Sequence, residues 1–317
     1  MHQDYGRSNI EILVADGMSN DGTREKLFQY VSKKYPLIII DNIYQSVSHG
    51  LNLAISNSQH NIIIRMDAHS SYPNNYISQL VYYLAKLNAD NVGGVIDTLP
   101  GSDNHISHSI ANAISHPFGV GNSLFRVGAK DICRVETVPF GCFHKNKLLS
   151  LGGYDLDLVR NQDDELNARI IKNGGAIYLI PEIKIKYYAR TRIVHLIKMF
   201  FQYGLYKPLV IKKTKAIITY RQLIPFIFTV GIIVGSILSF IYPVIYRAYI
   251  SSTLCYFGIS IYIGLKESIR TRRWYNIIYL PFIFSVIHFS YGLGFASGII
   301  RTIFGDHTRR KIIKESR

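Results

Sequence analysis

Three long apolar stretches near the C-terminal end constrain the fold of this chain more than any other feature. They cover residues 223–242, 248–265 and 275–300, and none of them contains a charge when His288 is neutral. A helix that spans a bilayer needs about 20 mainly apolar residues, and it tolerates glycine and proline. Three such stretches in close succession indicate membrane helices rather than the buried helices of a soluble core.

Basic residues suggest how these stretches are oriented. Lys and Arg cluster before the first stretch and after the second, whereas only Arg247 lies between the two. The positive-inside rule therefore places both clusters in the cytoplasm, with the first two stretches as a hairpin. The third stretch either crosses once more or re-enters, bending near 292–294, or lies in the interface. The tail 305–317 is basic, so the positive-inside rule favours a third stretch that re-enters or lies in the interface, because either arrangement leaves the tail in the cytoplasm.

The charge balance points to a membrane surface. The chain has 36 Lys and Arg against 21 Asp and Glu, a formal net charge of +15. Because these cations cluster beside apolar stretches and not among stacking aromatics, we expect anionic lipids as partners and no nucleic acid. Three cysteines are too few for a disulfide framework or a structural zinc site. The polar start shows no cleavable signal, so we expect a multi-pass protein of the cell (inner) membrane with a cytoplasmic polar domain.

The segment before the first apolar stretch has an amphipathic pattern. Apolar residues recur at helical spacing on one face, namely Ile193, Leu196, Ile197, Phe200, Phe201 and Leu205. This pattern predicts a helix that lies in the membrane interface, and an ordinary surface helix is the alternative. The expected organisation is a polar domain over 1–190, an interfacial segment over 191–221, membrane helices over 222–304 and a basic tail over 305–317.

The polar domain alternates between strand-like and helix-like segments. The predicted strands are 10–15, 37–40, 61–66 and 91–96, and the predicted helices are 23–34, 48–56 and 74–86. This alternation predicts an α/β fold with a mostly parallel sheet, in which ligands bind beyond the carboxyl ends of the strands. Three strands are followed there by Asp16, Asp41 and Asp67. A single aspartate at a strand end is usually a turn former or a cap, but three at this edge favour contact with a cation or a sugar.

The tripeptide Asp67-Ala68-His69 is the most specific local feature. In extended backbone, side chains two residues apart point the same way, so this carboxylate and this imidazole would converge. An oxygen and a nitrogen ligand together suit Mn²⁺ or Mg²⁺ and leave positions open for diphosphate oxygens. The alternative is that Asp67 and His69 cap the helix that follows Pro73.

A second polar cluster occupies residues 161–169. It contains Asp163, Asp164 and Glu165 at the start of a helix-like segment. The helix dipole alone favours acidic residues at this position. The alternative is that one of the three carboxylates is a general base for an acceptor hydroxyl.

The order of these segments resembles that of the family 2 inverting glycosyltransferases. Residues 11–23 resemble the nucleotide-binding opening, and 65–73 (RMDAHSSYP) resemble the metal motif in its Asp-x-His form, which is typical of the exopolysaccharide (succinoglycan-type) branch. Residues 140–143 and 152–155 resemble the acceptor-side segment, and 161–169 are similar to the Glu-Asp-x-Glu-Leu element. Residues 202–204 (QYG) lie at the position where the family has a motif that begins with Gln. Residues 288–294 resemble the last membrane segment of that branch.

The resemblance implies a GT-A (Rossmann-like) domain that transfers a sugar, with inversion, from a nucleotide diphosphate sugar to a lipid-linked or polysaccharide acceptor in surface polysaccharide synthesis. It implies that Asp163 is the base and that Asp67 holds Mn²⁺ or Mg²⁺, with His69 beside it. It also implies that Gln202 approaches the diphosphate or the acceptor. The donor-binding residues implied are Asp16, Asp41, Arg65 and Gln202.

The sequence departs from the family pattern at two places. Gln162 stands where the family has Glu, and the family's first strand and helix are not visible before residue 10. We therefore expect an unpaired apolar edge at 10–15. A catalytically silent, truncated membrane protein that only binds partners is the alternative function. A transporter is disfavoured, because the apolar stretches carry almost no charge to line a path.

Overall fold

The chain folds as two compact units. The computed structural model describes residues 3–32, 36–215 and 219–304. Within them, the first unit comprises 3–32, 36–95 and 129–185, and the second comprises 96–128, 186–215 and 219–304. The predicted basic tail 305–317 lies outside the described residues.

Strands and helices alternate in the first unit, and long helices dominate the second. In chain order the elements are β1 (Ile12–Asp16), α1 (Thr23–Ser32), β2 (Leu37–Asp41), α2 (Val47–Asn57), β3 (Ile62–Ile64), β4 (Ser70–Ser71), α3 (Tyr76–Lys86), β5 (Asn91–Leu99), α4 (His105–Ile114), α5 (Pro117–Val120), α6 (Leu124–Val127), β6 (Cys133–Arg134), β7 (Cys142–His144), α7 (Lys145–Ser150), α8 (Gln162–Lys172), β8 (Ile177–Tyr188), α9 (Ile193–Thr214), α10 (Ile224–Leu238), α11 (Pro243–Thr271) and α12 (Asn276–Phe304). The seven elements predicted between residues 10 and 96 are all present.

The sheet is mixed, which corrects the expectation of a mostly parallel sheet. β1 and β2 pair in parallel as a separate two-stranded sheet. The other sheet has the strand order β3-β7-β5-β8-β4, with β6 also on β8. β7 is antiparallel to both β3 and β5, and β6 is antiparallel to β8. The reason is that β7, a three-residue strand from a later part of the chain, lies between β3 and β5 and runs antiparallel to both.

β1 has an unpaired edge, as the sequence predicts. Among the described residues, β1 pairs with β2 alone. Only Asp16 of this strand is buried, and the four residues before it are half-buried. The strand therefore keeps an edge that can accept further pairing.

The core of the first unit fixes the position of the segment before β7. Tyr76, Leu80 and Leu84 lie on one face of α3 and are fully or almost fully buried. Tyr76 also donates from its hydroxyl to the carbonyl of Phe140, at 3.1 Å. Hydrophobic packing of α3 therefore holds the backbone just ahead of β7.

The second unit contains three helices that are long and apolar enough to cross a membrane. They are Tyr220–Leu238, Pro243–Thr271 and Asn276–Phe304. α12 has 29 residues and is continuously helical through 292–294, so no break in the helix separates two arms at that point. At 1.5 Å per residue it is about 43 Å long, which exceeds the ~30 Å hydrocarbon core of a bilayer.

α9 packs along α12 through glycines. A Cβ atom on Gly294 would lie 2.1 Å from the carbonyl oxygen of Phe201, and one on Gly298 would lie 2.3 Å from that of Leu205. Small residues four apart let two helix backbones approach closely, as in membrane helix pairs. Leu196 and Phe200 of the predicted apolar face are buried, whereas Ile197 is exposed.

α4 docks on α11 and α12 by polar contacts. Asn112 donates to Glu267 at 3.1 Å, and Ser109 donates to Asn276 at 2.8 Å. Residues 96–128 lie within 1–190, the range predicted for the polar domain, and no element beyond residue 96 was predicted for them. These long-range hydrogen bonds place α4 in the unit that contains the apolar helices.

Candidate active site

Arg65 lies between the two carboxylates that the sequence analysis assigned to metal binding and to base catalysis. Its Nη1 donates a short hydrogen bond to Oδ1 of Asp163, and its Nε lies 3.2 Å from Oδ1 of Asp67. The Arg65 side chain is only 10% exposed, against 25% for Asp67 and 32% for Asp163. One buried cation therefore brings together two acids that are distant in sequence.

Local backbone contacts fix the position of Arg65. It follows the end of β3, and its backbone N–H donates to the carbonyl of Gly141 at 3.1 Å. A Cβ atom at Gly141 would lie 2.3 Å from Oδ1 of Asn91, so only glycine fits there. Gly141 belongs to the predicted acceptor-side segment 140–143. The structure therefore places that segment beside Arg65.

Two tyrosines line the same group of residues. The N–H of Asp67 donates to the hydroxyl of Tyr72 at 2.7 Å. The Arg65 guanidinium lies 5.9 Å from the ring centre of Tyr154, a cation–π contact. Burial raises the pKa of Tyr72 to about 12, so this hydroxyl stays protonated at neutral pH.

Burial and charge act in opposite directions on the ionisable groups. Burial raises the pKa of Asp163, and the neighbouring carboxylates of Asp67 and Asp164 add to that rise, while Arg65 opposes it. For Arg65, burial alone would lower the pKa, but the carboxylates of Asp163 and Asp67 raise it well above its usual value. A carboxylate with a raised pKa is a better proton acceptor than an exposed one.

The three consecutive acids at the start of α8 have different surroundings. Glu165 is buried and pairs with Arg169 at 2.6 Å. Arg169 also donates to the carbonyls of Leu151 and Gly153, so this pair supports the loop before α8. Asp163 is the member of the run that contacts Arg65. The geometry therefore separates a structural acid from a candidate base, which the sequence alone could not do.

Asp16 and Asp41 share a different cation. They face each other at the ends of β1 and β2, and Arg24 lies 2.9 Å from Asp16 and 2.8 Å from Asp41. Burial alone would raise the pKa of Asp16, but hydrogen bonds from Ser19 and Arg24 outweigh it and lower the pKa. Asp16 is therefore an ionised acceptor at the carboxyl edge of this sheet.

The metal motif is not extended. The N–H of Ser70 donates to the carbonyl of Asp67 at 3.3 Å, and Ala68 and His69 form the turn between them. Residues 67–69 therefore lack the extended backbone that was predicted to aim the side chains of Asp67 and His69 at one point. The proposed capping role for Asp67 is not seen either, because the N-cap of α3 is Asn75 and the Asp67 carboxylate contacts Arg65.

The donor set still suits a divalent ion that the substrate helps to bind. Among the described residues, no group of three His, Cys, Asp or Glu side chains is arranged to hold a metal ion. The carboxylate of Asp67 is partly exposed, and His69 is exposed two residues later. One or two protein ligands with substrate phosphates are a common arrangement for Mg²⁺, and the imidazole suits Mn²⁺.

Gln202 belongs to the second unit. It lies on α9 and is buried there, with 6% of its surface exposed. Its predicted approach to the diphosphate or acceptor stays a prediction.

Arg24 and Tyr72 are contributors that the sequence analysis did not identify. Arg24 lies eight residues after Asp16, on the first turn of α1, and a single arginine there does not by itself indicate a contact with Asp16 or Asp41. Tyr72 was noted only as part of the motif 65–73. Arg24 contacts both Asp16 and Asp41 only because β1 and β2 are neighbouring strands. The local sequence around Arg24 does not show which strands are neighbours.

Comparisons with known proteins agree with the ordered motifs. Residues 2–144 match the family described as Glycosyl transferase family 2. The succinoglycan biosynthesis protein ExoA of Rhizobium meliloti (strain 1021) is 29% identical over 219 residues, which cover 68% of this chain and 66% of that protein, slightly less than two thirds of its length.

A second relative aligns over nearly the whole chain. It is the dolichyl N-acetyl-alpha-D-glucosaminyl phosphate 3-beta-D-2,3-diacetamido-2,3-dideoxy-beta-D-glucuronosyltransferase of Methanococcus voltae, 28% identical over 95% of this chain and 90% of that protein. Among solved structures, the mannosyltransferase PcManGT from Pyrobaculum calidifontis, in complex with GDP-Man and Mn²⁺, superposes with a TM-score of 0.61. It is 15% identical and covers 96% of this chain and 81% of that one, which shows a shared fold.

Proposed function

The chain carries a family 2 glycosyltransferase domain with a GT-A fold, and on that premise we propose that it transfers a sugar, with inversion, from a nucleotide diphosphate sugar to an acceptor hydroxyl. The observation that carries this proposal is the contact of Arg65 with both Asp67 and Asp163. Transfer with inversion needs a base that removes the proton of the acceptor hydroxyl and a positive charge that stabilises the departing diphosphate. Both must lie in the same site. Asp163 would be the base and Asp67 would hold the cation, and both belong to one group of residues around Arg65.

Asp163 accepts the proton of the acceptor hydroxyl as that oxygen attacks the anomeric carbon, and the bond between that carbon and the diphosphate oxygen breaks, which releases the nucleoside diphosphate. Arg65 holds the carboxylate of Asp163 in one orientation, and its positive charge opposes the rise in the pKa of Asp163 that burial causes. Asp16, Asp41 and Arg24 bind the nucleotide part of the donor at the edge of the two-stranded sheet. A divalent ion held by Asp67, with His69 beside it, would neutralise the developing charge on the diphosphate as a Lewis acid.

The acceptor is a lipid-linked sugar or a growing glycan at a membrane. Three apolar helices support membrane association, and one relative is named for a dolichyl phosphate-linked substrate. Basic residues before α10 and after α11 support a cytoplasmic catalytic domain in the cell (inner) membrane, with anionic lipids bound at those residues. The uninterrupted α12 supports a third crossing, because a re-entrant hairpin needs a break in the helix.

The test supplies membranes that contain the full chain with Mn²⁺ and a panel of nucleotide sugars, with membranes that lack the protein as the control. We expect one sugar to be added to an acceptor, seen by mass, and NMR to give an anomeric configuration opposite to that of the donor. A retained configuration would contradict the mechanism. Absence of any added sugar would favour the catalytically silent binding protein instead.

A further inference from the structure

We propose that Arg126 and Arg221, in the second unit, bind the phosphate group of a lipid-linked acceptor. This inference rests on the proposed function, because it names the chemistry of the acceptor. It concerns residues outside the group around Arg65. The ligand class is a phosphate monoester or diester on an isoprenoid-type lipid.

The guanidinium of Arg126 has a hydrogen-bond donor, Nη1, without an acceptor among the described residues. This nitrogen is shielded from solvent. The guanidinium lies 5.6 Å from the ring centre of Tyr187 and 5.5 Å from that of Phe125. Aromatic faces hold a guanidinium in place but do not satisfy its N–H donors. Buried polar groups are nearly always hydrogen-bonded, so this donor fits an anion supplied from outside the chain.

A second arginine, Arg221, contacts the loop that directly precedes α6, the helix that carries Arg126. Nη1 of Arg221 donates to the carbonyl oxygen of Asn122 at 2.8 Å and to its side-chain oxygen at 3.0 Å. Asn122 precedes Arg126 by four residues, in the loop between α5 and α6. The Oγ1 atom of Thr219 is a further shielded polar atom without a hydrogen-bond partner in the described part of the chain. Guanidinium and hydroxyl groups donate hydrogen bonds, and phosphate oxygens accept them.

The position of Arg221 favours a lipid phosphate over a soluble one. Arg221 lies in the 3₁₀ turn Tyr220–Gln222, directly before α10, and the first candidate membrane span begins at Tyr220. Tyr220 is 79% exposed, and tyrosine is enriched at membrane–water interfaces. Charge at the end of a membrane helix lies at the depth of lipid headgroups. A phosphate attached to a membrane lipid would reach this loop without leaving the bilayer.

The experiment measures binding of a short-chain polyprenyl monophosphate to the full-length protein in nanodiscs of neutral lipid. The comparison ligands are the matching polyprenol, inorganic phosphate and phosphatidylglycerol. The variants are Arg126→Gln, Arg126→Lys and Arg221→Gln. Arg247→Gln is the control for loss of an arginine charge in the second unit, because Arg247 is exposed and lies at the start of α11, away from this loop in sequence.

We expect wild type to bind the polyprenyl monophosphate at least tenfold more tightly than the polyprenol. Arg126→Gln should lose at least tenfold in that affinity and Arg221→Gln severalfold, while Arg247→Gln is unchanged. Arg126→Lys should retain part of the affinity, which separates lost charge from lost folding. Wild-type affinity in Arg126→Gln, or equal affinity for phosphate and alcohol, overturns the site. Equal competition by inorganic phosphate or phosphatidylglycerol overturns its assignment to the acceptor.

Failure of this site and failure of the proposed function give different results. If no nucleotide sugar supports transfer while binding still depends on Arg126, the transferase proposal fails and the phosphate site stands. If transfer proceeds while Arg126→Gln changes neither lipid phosphate binding nor the acceptor KM, the site fails and the transferase proposal stands.

Discussion

Arg65 donates a hydrogen bond to Asp163, a residue that lies 98 positions further along the chain. The same guanidinium contacts Asp67. A cation therefore already lies between the carboxylate proposed to hold a metal and the carboxylate proposed to act as base. This arrangement keeps two like charges close together without a bound ion, and it leads to three of the predictions that follow.

Replacing Arg65 with Met should destabilise the first unit. The change leaves two partly buried carboxylates without their shared partner. Because the carboxylates are 25% and 32% exposed, we expect a loss between the ~1 kcal/mol of exposed pairs and the ~3 kcal/mol of buried ones. Chemical unfolding in detergent measures it, with Arg190→Met, an exposed arginine, as the control. A double variant with Asp163→Asn should recover part of the loss, and strict additivity would contradict the coupling.

The pH dependence of transfer should depend on Arg65. The base must be ionised, and burial raises the pKa of Asp163 above its usual 3.8, against the effect of Arg65. Activity therefore falls as pH drops through this raised pKa. Arg65→Gln removes the opposing cation, so the acid limb of kcat/KM should move to higher pH, whereas Arg190→Gln should leave it in place. A limb that stays fixed or moves to lower pH would argue against Asp163 as the titrating base.

Asp67→Ala should weaken the metal-dependent part of donor binding. Asp67 provides the one partly buried carboxylate of the motif, so its loss leaves His69 and the donor phosphates to hold the ion. We expect the apparent affinity for Mn²⁺ to fall at least tenfold in calorimetric titrations with a nucleotide diphosphate, with no turnover needed. Asp157→Ala, another acid of the first unit, is the control. An unchanged Mn²⁺ titration would remove Asp67 from the site.

The seven elements that the sequence predicted between residues 10 and 96 are present, because each is encoded locally. The run at 37–40 became β2 with its end moved by one residue, and the acidic start of α8 was placed correctly. The turn at Ala68 and His69 was missed, because hydrogen bonding between Ser70 and Asp67 breaks the extended pattern after β3.

Relationships between distant segments could not be predicted. The three residues of β7 are too few to show a periodicity, yet their insertion makes the sheet mixed. The contacts of Arg65 with Asp163, and of Asn112 with Glu267, join residues 98 and 155 positions apart. Each residue type is ordinary at its own position, so only the fold reveals the pair.

Gly294→Leu should disrupt the packing of α9 on α12. Even a Cβ atom at Gly294 would lie 2.1 Å from the carbonyl oxygen of Phe201, so the helices must separate. Overpacking costs roughly 1–3 kcal/mol, and thermal unfolding in detergent should report it. Gly258→Leu on α11 is the matched control, because nothing lies within 4 Å of a Cβ atom there. Equal unfolding temperatures for the two variants would contradict this packing.

We propose that Asp163, and not another acid of α8, removes the proton from the acceptor. The direct measurement compares sugar transfer and donor affinity in Asp163→Asn and Asp164→Asn. Loss of a general base typically costs 10²–10⁴-fold, so Asp163→Asn should lower kcat by about that factor while the donor Kd stays nearly constant. Asp164→Asn should transfer at close to the wild-type rate. Normal turnover in Asp163→Asn would contradict the account.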